Sequence, residues 1–142
     1  MKKIYVEEVI TLFLMVLFLY SGLEKLVDFE RFKVNLGNSP LAGASGVLSV
    51  AIPSIEILLL PLLSNPRSRY VGLWCTLGLL TAFAGYVIWV LSFSRHIPCA
   101  CGGMIEHLNW HQHLLFNLLF VTMTAVGLHL EHRTKFTIDS KL

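Results

Sequence analysis

The chain has 142 residues, enough for one domain, and its composition excludes an ordinary soluble globule. Hydrophobic residues make up 55% of the chain, charged residues make up 14%, and the mean hydropathy is +0.68, whereas soluble domains carry about 25% charged residues. The formal net charge of +2 is small, and no basic run is interleaved with aromatic residues, which excludes nucleic acid as a partner. The composition predicts a polytopic membrane protein whose single membrane domain covers residues 1–142.

Four apolar stretches are long enough to span a bilayer. The first, about residues 4–27, is predicted to be a retained helix, because Ser21–Lys25 offers no small-residue site for signal cleavage. Residues 28–38 alternate polar and apolar side chains and predict a short amphipathic helix on the membrane surface. The remaining spans are predicted at about 46–63, with kinks at two prolines, at 70–93 and at 110–130, where a polar tail follows.

The order of these spans predicts an all-α, up-down bundle of four transmembrane helices with both termini on one side. Basic residues set the orientation, because lysine and arginine are enriched on the cytoplasmic side. Seven of them lie on the side of the termini and second turn: Lys2, Lys3, Arg67, Arg69, Arg133, Lys135 and Lys141. Four lie on the other side: Lys25, Arg31, Lys33 and Arg95. We therefore expect cytoplasmic termini in an inner membrane, with loop 94–109 on the periplasmic side.

Loop 94–109 carries two cysteines in the sequence Pro98-Cys99-Ala100-Cys101-Gly102-Gly103. Two thiols one residue apart form a small, strained disulfide ring, and strained disulfides tend to be the labile, catalytic ones. The glycines supply the backbone freedom that such a ring requires. A static staple is the weaker interpretation, because closing so short a loop removes little unfolded-state entropy. Cys99 and Cys101 are therefore predicted to exchange electrons with a partner's thiols or with a membrane quinone.

A metal site is the alternative interpretation of the same region. His107 and His111 lie four residues apart and share a face if helical. With Cys99 and Cys101 they form a ligand set that suits zinc or copper. The two cysteines do not have the usual C-x₂₋₄-C spacing of zinc ligands, so the dithiol interpretation is the leading one.

Two polar residues inside the predicted spans are further candidate catalytic residues. Glu56 lies near the middle of the second span, where an ionised carboxylate is costly and is a functional-site candidate. It is predicted either to carry protons or to form a buried pair, with Lys25 able to reach towards it. His113 is predicted to hydrogen-bond within the bundle or to tune a cysteine, with Asn117 one turn further on. Cys75, inside the third span, is predicted to pack rather than to react.

The cysteine region also resembles a known family. Cys99-Ala100-Cys101-Gly102-Gly103, followed by Leu108-Asn109-Trp110, His113 and Asn117, is similar to the C-x-C-F-G plus tryptophan and asparagine pattern of MauE-type members of the MauE/DoxX group. Ser21–Leu26 and Glu56 resemble that group's positions in helices one and two. Gly102 stands where the family usually has phenylalanine, which bears on any contact made by that aromatic ring.

The resemblance implies a redox-associated four-helix membrane protein. MauE is tied to maturation, including disulfide formation, of a periplasmic dehydrogenase, and DoxX relatives are tied to thiosulfate oxidation with quinone. We therefore expect periplasm-facing thiol–disulfide exchange that supports the oxidation or maturation of a partner protein, with quinone or a second protein as electron acceptor. Two alternatives stay open: a non-enzymatic membrane subunit or assembly factor, and a metal carrier using the cysteine and histidine set.

Overall fold

The computed structural model describes residues 2–93 and 110–139, with side chains described for residues 5–93 and 111–135. Within these ranges the chain forms helices α1 Lys2–Val27, α2 Phe29–Gly37, α3 Ser45–Ser64, α4 Arg69–Phe93 and α5 Trp110–Asp139, with a 3₁₀ turn at Ala42–Ala44. Four of these helices, α1, α3, α4 and α5, are long and apolar enough to span a membrane. The predicted all-α fold with four spans is confirmed, and the orientation of its termini stays a prediction.

The four spanning helices form a ring in chain order. Helices α1 and α4 each pack against both α3 and α5, as in an up-down bundle. The core contains Ile10, Leu14, Phe18, Leu59, Leu63, Leu73, Leu80 and Phe120. Large apolar side chains also cover the outside of the bundle, among them Leu12, Phe13, Val16, Leu58 and Leu119. A helix that is apolar all round suits a lipid environment, so the outer surface fits the predicted bilayer.

The short helix α2 lies across one end of the bundle, against α3 and α1. Phe32 and Leu36 are one turn apart and buried, whereas Val34 is exposed, which confirms the predicted amphipathic helix. Ser39 ends this segment: its hydroxyl donates to the Leu36 carbonyl at 2.7 Å and accepts from the Leu41 N–H at 3.1 Å. These bonds turn the chain from α2 back towards the start of α3.

Helix α5 extends well past Leu130, its predicted end. Glu131 is buried, and its side chain is hydrogen-bonded to that of Glu7 on α1. The Lys135 ammonium lies 5.1 Å from the centroid of the Tyr70 ring on α4. Because polar residues of this last part pack on neighbouring helices, they continue the helix instead of forming a separate tail.

Close packing between the helices depends on glycine at two positions. A Cβ added at Gly72 on α4 would lie 3.2 Å from the carbonyl carbon of Leu62 on α3. A Cβ added at Gly22 on α1 would lie 3.2 Å from Cγ1 of Ile57 on α3. Small residues at such contacts let helix backbones approach each other in membranes. Gly72 and Gly22 therefore allow α3 to pack closely against α4 and α1, respectively.

We predict that Gly72→Ala destabilises the bundle. The new methyl group would press on the Leu62 backbone, which cannot rotate away, and overpacking of this kind costs about 1–3 kcal/mol. Thermal unfolding of the purified protein in mild detergent measures the effect. Gly78→Ala on the same helix is the matched control, because no atom lies within 4 Å of its added Cβ. Equal losses in both variants would contradict the assigned close contact.

Candidate functional site

A cavity of about 280 Å³ lies inside the bundle, in the half where α1 ends and α5 begins. All five helices contribute to its wall, and α2 lies across its end. Its polar lining consists of Ser21, Glu24, Lys25, Asp28, Arg31, Asn35, Glu56, Tyr86, His113 and Asn117. Phenylalanine and aliphatic side chains make up the remainder of the wall. The cavity therefore combines an apolar interior with a limited number of polar groups, as small-molecule sites do.

An ion pair between α1 and α3 forms part of the cavity wall. The Lys25 ammonium lies 3.0 Å from Oε1 and 3.2 Å from Oε2 of Glu56. The side chains are 22% and 9% exposed, respectively. The Ser21 hydroxyl donates to Glu56 Oε1 at 3.0 Å and accepts a short hydrogen bond from Lys25. The predicted contact between Lys25 and Glu56 is confirmed, with Ser21 as a third member that sequence reasoning placed only within a family motif.

Local geometry explains why these three residues meet. Ser21 and Lys25 lie four residues apart on α1 and therefore share one face of the helix. Gly22 lies between them, and its missing side chain leaves room for α3: an added Cβ would lie 3.6 Å from the Cβ of Glu56. The Lys25 ammonium also lies 5.7 Å from the centroid of the Phe32 ring on α2, a cation–π contact. The hydrogen bonds and the contact with the ring together offset the free-energy cost of removing the two charges from water.

His113 and Asn117 line the cavity from α5, one turn apart. Both are buried, at 6% and 5% exposure. The Asn117 side-chain amide donates to the Leu80 carbonyl at 3.1 Å, which fixes its position. The His113 ring meets the Phe83 ring edge to face, with centroids 5.3 Å apart. The structure thus brings two predicted site residues, Glu56 and His113, to one cavity.

The predicted cysteine pair lies outside the described residues, as does His107. Helix α4 ends at Phe93 and α5 begins at Trp110, both at the cavity end of the bundle. His111 is exposed. Among the described residues, no group of three histidine, cysteine, aspartate or glutamate side chains is placed to hold a metal ion. The alternative metal set extends beyond those residues and stays a prediction.

Cys75 is described, and it lies away from the cavity lining. Its side chain is exposed on α4 and is a free thiol. It is not part of the cavity lining. In a spanning helix, an exposed side chain is directed towards lipid or a neighbouring protein. Cys75 therefore serves as a reference cysteine for experiments on the other two.

Sequence reasoning missed the aromatic part of the cavity wall. The predicted site residues include no phenylalanine or tyrosine, whereas Tyr86 lines the cavity with Phe83 from the same helix. Phe116 and Phe120 line it from α5, with ring centroids 4.9 Å apart. Their four-residue spacing was the available signal, but it does not reveal which face of an all-apolar helix is turned inward.

A second buried polar contact in the opposite half of the bundle was also missed. Glu7 on α1 and Glu131 on α5 are 4% and 6% exposed, and their side chains are hydrogen-bonded to each other. Glu7 falls within the predicted first span, and Glu131 falls in the predicted polar tail. They meet because the start of α1 packs beside the end of α5, which only the helix arrangement reveals.

Comparison with known proteins identifies the family. The model of a family described as Methylamine utilisation protein MauE matches residues 3–130. The chain belongs to the MauE family. No curated protein and no solved structure matches the chain. The match confirms the predicted resemblance to MauE, and the DoxX part of that resemblance stays a prediction. The matched range, residues 3–130, includes every cavity residue named above, so the cavity lies within the MauE-family region.

We predict that Lys25 and Glu56 in this MauE-family bundle contribute to the free energy of unfolding in a coupled way. Lys25→Met should lower the free energy of unfolding by about 3 kcal/mol, because it leaves a buried carboxylate without its cation. Lys25→Met combined with Glu56→Gln should recover much of that loss, because no unpaired charge remains buried. Denaturant unfolding in mixed micelles measures four proteins: the unmodified protein, Lys25→Met, Glu56→Gln and the double variant.

The matched control is Lys33→Met, which removes a lysine that is exposed on α2. This variant should unfold like the unmodified protein, because exposed charges contribute little. A double variant whose loss equals the sum of the two single losses would contradict the coupling.

Proposed function

We propose that this MauE-family protein performs thiol–disulfide exchange at the periplasmic face of the inner membrane, using Cys99 and Cys101. The exchange supports the oxidation or maturation of a partner protein, which the family description suggests belongs to a methylamine-utilisation system. The observation that carries the proposal is that α4 ends and α5 begins at the end of the bundle where the ion pair and His113 line one cavity. Residues 94–109, which include both cysteines, connect these two helices in the sequence.

The proposed reaction begins with an oxidised Cys99–Cys101 pair. A partner thiolate attacks one of the two sulfurs, which forms a mixed disulfide and releases the other sulfur as a thiolate. The partner's second thiolate then attacks the mixed disulfide. The partner leaves with a new disulfide, and Cys99 and Cys101 hold the two electrons as thiols.

Re-oxidation of the dithiol restores the starting state. Two electrons and two protons leave Cys99 and Cys101 and pass to a quinone, which becomes the quinol, or to a disulfide of a second protein, which becomes a dithiol. In either case the thiols must lose protons before they react, because the thiolate is the nucleophile.

Glu56 and His113 are the proposed proton-handling groups. Both are buried in the wall of the cavity, in the half of the bundle where α4 ends and α5 begins. Histidine and carboxylate side chains are the common general acids and bases of proteins. Lys25 and Ser21 hold Glu56 in place through their hydrogen bonds, so their role in this proposal is positioning.

We predict that Cys99→Ser and Cys101→Ser each abolish disulfide formation in the partner protein. Thiol trapping in intact cells with a membrane-impermeant maleimide tests both the chemistry and the side of the membrane. In the unmodified protein the pair should resist labelling until it is reduced, and its redox state should shift when quinone is depleted. Cys75→Ser is the control and should leave partner disulfides unchanged.

Other outcomes would replace the proposal with its alternatives. Partner disulfides that persist in Cys99→Ser would favour a non-enzymatic subunit or assembly factor, in which the cysteines only shape a loop. A pair that is always reduced and copurifies with stoichiometric zinc or copper would favour the metal carrier.

A further inference from the structure

Glu7 on α1 and Glu131 on α5 form a carboxyl pair that the proposed thiol chemistry does not use. Both residues are buried, and their side chains are hydrogen-bonded to each other in the half of the bundle opposite the cavity. The Thr11 hydroxyl, one turn further along α1, donates to the main-chain carbonyl of Glu7 at 2.8 Å. Its hydrogen is therefore used on the backbone of α1 and not on the carboxyl pair.

The contact within the carboxyl pair requires a proton. An ionised carboxylate only accepts hydrogen bonds, whereas a protonated carboxyl group also donates one. Two carboxyl groups that share a buried site do not both ionise readily, because like charges in close contact repel each other. The hydrogen bond between Glu7 and Glu131 thus indicates that the carboxyl pair holds one proton.

The surrounding charges fit one shared proton. Besides Glu131, the charged groups that act on Glu7 are Arg69 of α4 and Glu8 of α1. Arg69 is half-buried, and its Nε donates to the Leu63 carbonyl at 3.3 Å, whereas Glu8 is exposed to the surroundings of the bundle. With one proton, the carboxyl pair carries a single negative charge, which the Arg69 guanidinium balances. Without the proton, two buried carboxylates would face one guanidinium, and an unbalanced buried charge is costly.

Other ionisable groups at this end of the bundle are engaged elsewhere or exposed. The His132 ring lies 6.4 Å from the Tyr70 ring between centroids, and the Lys135 ammonium lies 5.1 Å from the centroid of the same ring. The exposed basic side chains here are those of Arg67 and Arg133. The one charged residue of α3, Glu56, lines the cavity in the other half. Arg69 is therefore the cation that balances the carboxyl pair.

The carboxyl pair lies beside a close contact between α1 and α5. A Cβ added at Gly127 on α5 would lie 3.2 Å from Cγ2 of Ile10 on α1. Gly127 precedes Glu131 by four residues, and Ile10 follows Glu7 by three, so both contacts lie on the same face of each helix. The carboxyl pair thus continues this helix contact to the end of the bundle where α1 begins and α5 ends.

We propose that one proton shared by Glu7 and Glu131 holds the start of α1 against the end of α5, and that loss of this proton opens the bundle at that end. The contact is closed at low pH and opens as the pH rises, because the two carboxylates then repel each other and Arg69 balances only one of them. This end carries the chain termini, which are predicted to be cytoplasmic, so the contact would respond to cytoplasmic pH. The proposal is independent of the dithiol.

The sign of the pH dependence follows from proton binding. Exposed glutamates in an unfolded chain lose their protons at about pH 4. From there up to the pH at which the folded carboxyl pair loses its own proton, the folded protein binds one proton more than the unfolded chain. Its stability therefore falls as the pH rises. The equilibrium constant of unfolding should increase by up to about tenfold per pH unit over this range, and the carboxyl pair should contribute no further change above it.

Glu131→Gln is the decisive variant. Its side-chain amide can donate to the Glu7 carboxylate at every pH, and a single carboxylate then remains to balance Arg69. Denaturant unfolding in mixed micelles, from about pH 5 to about pH 9, covers the range in which buried glutamates lose their protons. The ratio of the unfolding constants of the unmodified protein and Glu131→Gln should rise by up to about tenfold per pH unit and then level off. Glu7→Gln places the amide on the other helix and should remove the same pH dependence.

The matched control is Glu30→Gln, which neutralises an exposed carboxylate on α2 and should keep the pH profile of the unmodified protein. Hydrogen exchange locates the opening, since the protection factor is corrected for the intrinsic pH dependence of exchange. Protection in the first turns of α1 and the last turns of α5 should fall with rising pH in the unmodified protein but not in Glu131→Gln. Glu131→Ala, which removes the contact, should show low protection there at every pH.

Two results would overturn the proposal. Parallel pH profiles of the unmodified protein and Glu131→Gln would show that no proton is linked to the carboxyl pair. A ratio of unfolding constants that falls with rising pH would show that the folded protein favours two ionised carboxylates, with Arg69 bound to both.

Discussion

The ion pair between Lys25 and Glu56 is the constraint on which the arrangement of this end of the bundle depends. Two charges inside a membrane protein are tolerated only when they are paired and their remaining hydrogen-bonding groups are satisfied. Ser21 provides the additional bonds, and Gly22 permits the approach of α3 that brings Glu56 within reach. The register between α1 and α3 follows from this contact. Helix α2 then places the Phe32 ring beside the ammonium group and lies across the cavity.

The buried ionisable side chains of the described residues are divided between the two halves of the bundle. The ion pair, His113 and Asn117 line the cavity in one half, whereas Glu7 and Glu131 meet in the other. Apolar core residues such as Leu14 and Leu73 lie along the helices between these groups. In the proposed function, protons handled by Glu56 and His113 would therefore exchange with the dithiol side of the membrane. Electron transfer would then need no proton path through the core.

The sequence predicted the parts of the structure that follow from length and local spacing. Apolar length alone defines the four spans, and the alternation of polar and apolar residues over 28–38 predicts the amphipathic helix α2. The contact of Lys25 with Glu56 was predictable because opposite charges inside a membrane must find partners. The aromatic wall was not, because helices that are apolar on every face carry no periodicity to show which residues turn inward. Glu131 was assigned to a tail because the residues after Leu130 are polar. Its partner, Glu7, lies at the other end of the chain, so no local pattern reveals their contact.

A single dithiol constrains how the proposed exchange must proceed. With Cys99 and Cys101 as the one pair, the sulfurs that receive electrons from the partner protein must also release them to the acceptor. The two reactions therefore alternate, and the partner must leave before re-oxidation, as in a ping-pong scheme. The two reactants differ in where they dissolve: the partner comes from the aqueous phase and a quinone comes from the bilayer. Phe93 of α4 and Trp110 of α5 are both at the cavity end of the bundle, so in the proposed function the dithiol between them in sequence would meet both phases. This position makes alternation feasible without a second cysteine pair, because neither reactant has to cross the other's phase.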